Sequence, residues 1–252
     1  MKKIIDMLKS MTNSKKKVFA LALATCVIVL SIASSSIAYF TDTAKFTNTF
    51  TAGNVKIELS EAKVQKNTTT GDVEAIDATT NRITATSGAD ASQDYGSLFP
   101  KQSIYKDPTI KNTGSEAAYI GAIITITSTN DFGNAIAAAN ITDFIKGLPQ
   151  AANATVKIVD TAKGYTLYVV YKAAVTSTNS VVVFSGLSVP ATWGNTEMGY
   201  VNGLNIVVDA YAVQTAGMGT DAYAALKTAF TTEWTPYGEA SATVVTVPVP
   251  TT

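Results

Sequence analysis

Period-two alternation is the feature of this chain that most restricts its fold. Val55, Ile57 and Leu59 alternate with Lys56, Glu58 and Ser60, so an extended backbone puts one set on each face, which describes a half-buried strand. The same reading predicts strands over 119–127, 155–159, 165–171, 181–189 and 204–213. Several of these are apolar on both faces, as strands are when they lie between two layers. Clusters such as Asn112-Thr113-Gly114-Ser115 separate them as turns. No internal repeat of about 20–50 residues is visible, which disfavours a solenoid or propeller, and the order of elements points to an antiparallel β-sandwich.

Two segments break the alternation. Ile141, Phe144, Ile145 and Leu148 recur at helical spacing before Pro149, and Tyr223, Leu226 and Phe230 form a stripe after Thr220 or Asp221, either of which can cap it. Both are expected as short packing helices. Residues 66–94 are rich in Thr, Asp, Ala, Asn and Ser and poor in large apolar groups, so a long surface loop or an extra hairpin is expected there. Residues 241–252 alternate Val with Thr and Pro. Pro248 and Pro250 deny them an interior strand position, which leaves an edge strand or a flexible end.

The N-terminal residues have a different logic. Lys2, Lys3, Lys9, Lys15, Lys16 and Lys17 precede an apolar run from Val18 to about Ala33, and small Ser36 and Ala38 then fit a signal-peptidase site. Residues 1–38 are therefore expected to be a signal-peptide helix, cut between Ala38 and Tyr39, with the product secreted and left without a lasting membrane anchor. A retained anchor is the alternative, because the run from Val18 to Ala38 approaches the roughly 20 residues that span a bilayer; no basic stop-transfer cluster follows it. Lipidation at Leu23-Ala24-Thr25-Cys26 is disfavoured by Thr25 and by the apolar residues that continue through Leu30. Cys26 is the only cysteine, so residues 39–252 hold no thiol and must draw stability from their core.

Charge and composition narrow the chemistry. The first 38 residues take six lysines and one acid, leaving 13 basic and 18 acidic residues in 39–252, a balance without a nucleic-acid footprint. Its 214 residues suit one sandwich domain, 53–240, carrying the 66–94 insertion. The chain has no histidine, which removes Ser-His-Asp and Cys-His nucleophiles and His-ligated zinc sites. Asp107, Glu116, Asp131, Asp143, Asp160 and Asp209 are scattered singly. Asp209, inside an apolar strand, reads as a solvent-facing residue or a loop anchor. No D-x-D-x-D-G loop exists. A non-enzymatic protein is expected, with no catalytic, cofactor-binding or metal residue.

Residues 39–52 place Phe40, Phe46 and Phe50 among Thr, Asn and Asp without a helical stripe, so they read as an extended arm. Kept at home, the arm is a first strand; released, it can add to the sheet of the next subunit, with pockets for its phenylalanines. Head-to-tail addition does not close on itself and gives a filament of one kind of subunit. A monomeric cell-surface binding module or adhesin, displaying Thr- and Asn-rich loops, is the alternative.

Several motifs resemble the TasA and camelysin family of secreted proteins from Gram-positive bacteria. They are Ser36-Ile37-Ala38-Tyr39-Phe40-Thr41-Asp42, Phe50-Thr51-Ala52-Gly53-Asn54-Val55, Phe99-Pro100, Asp107-Pro108-Thr109-Ile110-Lys111-Asn112-Thr113-Gly114-Ser115 and, more weakly, Ala210-Tyr211-Ala212-Val213-Gln214. The 66–94 insertion departs from compact members. The resemblance implies a jelly-roll-like sandwich, processing by a SipW-type signal peptidase, and assembly into biofilm-matrix fibres, with other matrix components as further partners. It also implies that residues 39–52 complete a neighbour's sheet. Camelysin-like members are described as casein-cleaving metalloproteases too, an activity that the absence of histidine argues against here.

Overall fold

The long alternating runs become the strands of one sheet. The computed structural model describes residues 41–44, 55–85, 93 and 95–248, all within the unit Phe40–Thr252. Four strands make the body of the first sheet, A: β8 (Ala118–Thr127), β10 (Ala154–Thr161), β11 (Gly164–Tyr171) and β14 (Asn205–Gln214). Short strands β1 (Thr41–Ala44) and β15 (Thr243–Val244) border it. The order is β1-β14-β8-β11-β10-β15, antiparallel throughout. The double-sided apolar pattern of β8 has its predicted cause. Ile120, Ala122, Ile124 and Ile126 belong to the main core, while Tyr119 and Ile123 belong to a second cluster on the opposite face.

Two smaller sheets share the main core. Sheet B joins β12 (Ser180–Val182), β7 (Thr109–Asn112), β2 (Ile57–Ala62) and β5 (Arg82–Thr84) in that order. Sheet C joins β3 (Val64–Lys66), β4 (Val73–Ala75), β6 (Ser103–Tyr105), β13 (Gly186–Ser188) and β9 (Ile145–Lys146); β4 and β6 run parallel. Ile57, Leu59 and Ile110 of sheet B and Ile104 and Leu187 of sheet C are buried with the inward residues of sheet A. The described chain is thus mainly β, in a sandwich-like arrangement.

Two expectations need correction. The apolar run 181–189 is two strands in different sheets, because the chain crosses over at Val183 and Phe184, both fully buried. Val183 N–H donates to the Pro108 carbonyl and Ser185 N–H to that of Lys146, so neighbouring residues serve different sheets. The helix expected from Ile141 onward stops after one turn, Ile141–Phe144. Ile145 turns extended and pairs with Leu187 of β13, and Gly147, at φ 72°, bends the chain away. All four residues of the stripe are buried; their spacing records burial, which both conformations satisfy.

The second expected helix forms at Ala222–Ala229, with the Asp221 carboxylate accepting from the Tyr223 and Ala224 amides. Two more short helices, Asn195–Tyr200 and Thr231–Trp234, carried no periodic stripe long enough to read. The C-terminal pair seats Trp234, fully buried, on the outer face of sheet A. Its ring meets those of Tyr168 and Tyr211 edge-on, each at 5.7 Å between centroids, contacts worth about 0.5–1.5 kcal/mol apiece beyond area burial. Gly121 beneath it admits the indole: a Cβ there would lie 2.5 Å from a Trp234 ring carbon.

The 66–94 segment takes the hairpin alternative as β3–β4, followed by β5. Its turns reuse one device. Asn67 Oδ1 accepts from the Thr69 and Thr70 amides, and Asp77 Oδ1 from those of Thr79 and Thr80. The C-terminal segment forms edge strand β15 on β10. The expected signal segment, the Ala38–Tyr39 cleavage site and Phe40, Phe46 and Phe50 lie outside the described residues. Among the described residues no helix is long and apolar enough to cross a membrane.

Candidate functional site at the edge of the long sheet

β14 is ten residues long and pairs with β8 along its full length. On its other edge, β1 covers only four of those residues, from Thr41 opposite Val213 to Ala44 opposite Ala210. Among the described residues no strand pairs with Asn205–Asp209 on that side.

A groove of about 1180 Å³ opens beside this half of β14. Its apolar surface comes from Leu59, Ile83, Ile104, Leu187, Ile206 and Val208, so it lies between sheet A and sheets B and C. β5, the border strand of sheet B, contributes Ile83. Two sheet borders therefore flank one groove. Its volume exceeds the roughly 300–1,000 Å³ of most small-molecule clefts, which favours a segment of polypeptide as occupant.

Two charged residues of the groove, Lys106 and Glu61, pair with each other. Lys106 Nζ donates to both Glu61 oxygens, at 2.7 and 2.8 Å, and lies 5.2 Å from the centre of the Tyr95 ring. Tyr95 Oη donates to Glu61 at 3.1 Å. Burial, and then the Glu61 charge, push the Tyr95 hydroxyl far above its ordinary pKa, so it stays a donor. Behind this trio, Arg82 donates to the Asp107 carboxylate at 2.7 Å. Its other N–H groups reach Ser60 Oγ, Thr109 Oγ1 and the carbonyls of Ser60, Ala78 and Asp107. Asp107 Oδ1 also accepts the Ala62 amide at 2.8 Å. This lattice pins β5 and the end of β2, and so fixes the wall of the groove opposite β14.

Of the arm 39–52, the part described, Thr41–Ala44, occupies the first-strand position in its own sheet. Asp209, the carboxylate singled out within an apolar strand, sits on β14 opposite Ile123 of β8 and borders the groove. Two of the other single carboxylates have local duties: Asp107 holds Arg82, and Asp131 accepts the Gly133 amide at 3.0 Å. Among the described residues no group of three or more Asp, Glu, Cys or His side chains is placed to hold a metal ion.

The Glu61–Lys106–Tyr95 trio and the Arg82–Asp107 pair escaped the sequence reading. One signal was there to use: Arg82 is the only arginine in the chain, and a planar donor fork placed once, in a segment otherwise read as loop, marks a buried junction. Comparison with protein-family models, with curated proteins and with solved structures finds no match to this chain.

Proposed function

We propose that this protein is a secreted structural subunit that assembles head to tail into extracellular fibres, the N-terminal segment of each copy adding to the sheet of the next. The observation that carries this reading is a border strand of four residues, β1 on Ala210–Val213, which among the described residues adjoins a groove. A border strand of four residues holds few ladder bonds. An identical strand from a second copy restores all of them, so exchange costs little in contacts. Exchange that passes each arm on to a further copy propagates, whereas reciprocal exchange between two copies would close as a dimer.

The resemblance to the TasA and camelysin family supports the rest of the reading: a jelly-roll-like sandwich, cleavage after Ala38 that frees Tyr39 as the start of the arm, and residence in a biofilm matrix. The size of the groove also favours a second reading, a monomeric surface module that grips an extended polymer of another kind. Electron microscopy of residues 39–252 beside residues 53–252, both shown to be folded by circular dichroism, separates them. Filaments in the longer form alone are expected. Monomers in both would discard the fibre reading in favour of the binding module.

A further inference from the structure

We infer that Asn202, in the turn that leads into β14, is a site of spontaneous covalent modification: the Gly203 amide closes on its side chain, ammonia leaves, and water opens the ring to aspartate and isoaspartate. This chemistry is independent of the fibre reading and needs no reactant but water. It follows from what the turn demands of its two central residues.

Helix Asn195–Tyr200 runs into a tight turn that the Leu204 N–H closes by donating to the Val201 carbonyl at 3.1 Å. Gly203 holds φ 66° there, a conformation open to glycine and strained for a side-chain-bearing residue. Space makes the same demand, since a Cβ on Gly203 would lie 2.5 Å from Thr129 Oγ1. The Asn202 carbonyl accepts the Thr129 N–H at 3.0 Å, and the Asn202 N–H donates to the Gly199 carbonyl at 3.4 Å. The main chain is thus anchored around the Asn202–Gly203 bond, and nothing bulkier than glycine fits its second position.

The two groups that react are the ones the turn leaves loose. Asn202 and Gly203 are both exposed, and among the described residues nothing accepts the Gly203 N–H or bonds to the Asn202 side chain. Because the attacking nitrogen belongs to glycine, no side chain crowds its approach to Asn202 Cγ. The nitrogen loses its proton to water and bonds to Cγ, and Nδ2 departs as ammonia, which leaves a five-membered succinimide. Hydrolysis at one ring carbonyl gives aspartate; at the other it gives isoaspartate, whose main chain runs through Cβ and Cγ. Asn202-Gly203 is the only Asn-Gly pair in the chain. Three other asparagines show the contrast: Asn112 is fully buried with Nδ2 bonded to the Glu116 and Val175 carbonyls, Asn67 Oδ1 accepts two backbone amides, and Asn179 ties its Nδ2 to Thr176 Oγ1 at 2.7 Å. Either product puts a carboxylate on the rim of the groove, which Asn202 and Gly203 help to line. Isoaspartate also lengthens the main chain by one carbon between anchored points and turns the carbonyl that accepts from Thr129 into a branch. The turn sits where β8 and β14 end their pairing, with Asn205 opposite Thr127, so the loosening is confined to that end of the sheet.

The test is to age the folded protein in warm, mildly alkaline buffer and follow it by peptide mapping with mass spectrometry, beside the same protein unfolded in guanidinium chloride. The peptide that carries Asn202 is expected to gain one mass unit and split into two chromatographic species, one of them a substrate for methylation by an isoaspartyl methyltransferase. Its rate should be several-fold above that of every other asparagine peptide and within a few-fold of the rate in denaturant. Asn202→Gln, which cannot close the five-membered ring, should leave this peptide unchanged. Hydrogen exchange at the Leu204 amide should be several-fold faster in the aged protein, whereas freshly prepared Asn202→Asp, with the charge but without the inserted carbon, should exchange there as fresh wild type does. Conversion that is rapid in denaturant and absent from the folded protein would show that the turn protects Asn202 and would overturn the inference. Conversion spread evenly over the asparagines would overturn it equally.

Discussion

The two borders of sheet A are covered by segments from opposite ends of the chain, and they are covered differently. On β14 the described part of the covering strand spans four residues, beside a groove. On β10 it spans two, Thr243 opposite Ile158 and Val244 opposite Lys157. There the Val245 amide adds one bond to the Val156 carbonyl, Gln150 Nε2 donates to the Pro248 carbonyl at 3.0 Å, and Pro248 ends the run. Both borders need protection, since each would otherwise pair with any extended chain. The first adjoins a groove between the sheets. The second has a strand that is too short to template another and is followed by a residue without an N–H. Among the described residues the two borders of the sheet thus differ in the length and the surroundings of the strand that covers them.

The largest effect on this contrast should come from Arg82→Ala, which strips the wall from the exchange side alone. The guanidinium is about one-fifth exposed and Asp107 about one-tenth, and removing one partner of such a pair strands the other. A loss of about 3 kcal/mol is expected from the cost of breaking a largely buried pair, seen as a lower urea midpoint. Filament formation should fall with it, while amide protection along β10 and β15 stays as in the wild type. Arg82→Lys keeps the charge without the fork and should lie between the two. Equal loss of protection at both borders would mean that the Arg82 lattice supports the whole fold and not the groove in particular.

This lattice also shows where sequence legibility ends. The long strands were readable because burial of one or both faces writes a period of two directly into the residues, as in Ile57, Leu59 and the β8 isoleucines. Corners were not: Val183 and Phe184 are as apolar as a strand interior, and nothing local says that the chain changes sheet between them. The Ile141 stripe failed for a related reason, since one turn of helix followed by a strand buries the same four residues as two turns of helix would. In the candidate site, the place of Thr41–Ala44 as a first strand was legible. The groove wall was not, because Glu61, Arg82, Tyr95 and Lys106 come from separate segments and meet only through the pairing of sheets B and C.

On the closed border, removing residues 241–252 should expose β10. Val245 and Val247 are half-buried against the main core, so their loss should cost roughly 1–2 kcal/mol, part of the value of fully burying such side chains. The sharper readout is association. In a chain that begins at Gly53 and so lacks the arm, this truncation is expected to convert a monomer into laterally paired species, measured by size-exclusion chromatography with light scattering. Lys157 limits the effect, because its ammonium lies 4.4 Å from the centre of the Tyr237 ring and donates to the Tyr237 carbonyl, leaving a charged side chain beside the exposed border. A strictly monomeric truncation would show that this lysine protects β10 without help from the C-terminal segment.

The smallest energetic effect, and the finest probe of the contrast, is Pro248→Val in residues 39–252. The carbonyl that accepts from Gln150 is retained in the variant, and the position lies on the surface, so stability should stay within about 0.5 kcal/mol of wild type. What changes is the backbone: a donor appears where there was none, and the Val-Val-Thr-Val run of residues 244–247 gains another strand-forming residue. If the proline is what keeps this border from recruiting a strand, filaments of the variant should associate side by side into bundles that wild-type filaments do not form. Cutting the arm back to Gly53 should then abolish the filaments but preserve pairwise association through β15. Filaments of unchanged width would place the closure in the shortness of β15 itself, and the two borders would then differ in strand length rather than in the chemistry of one residue.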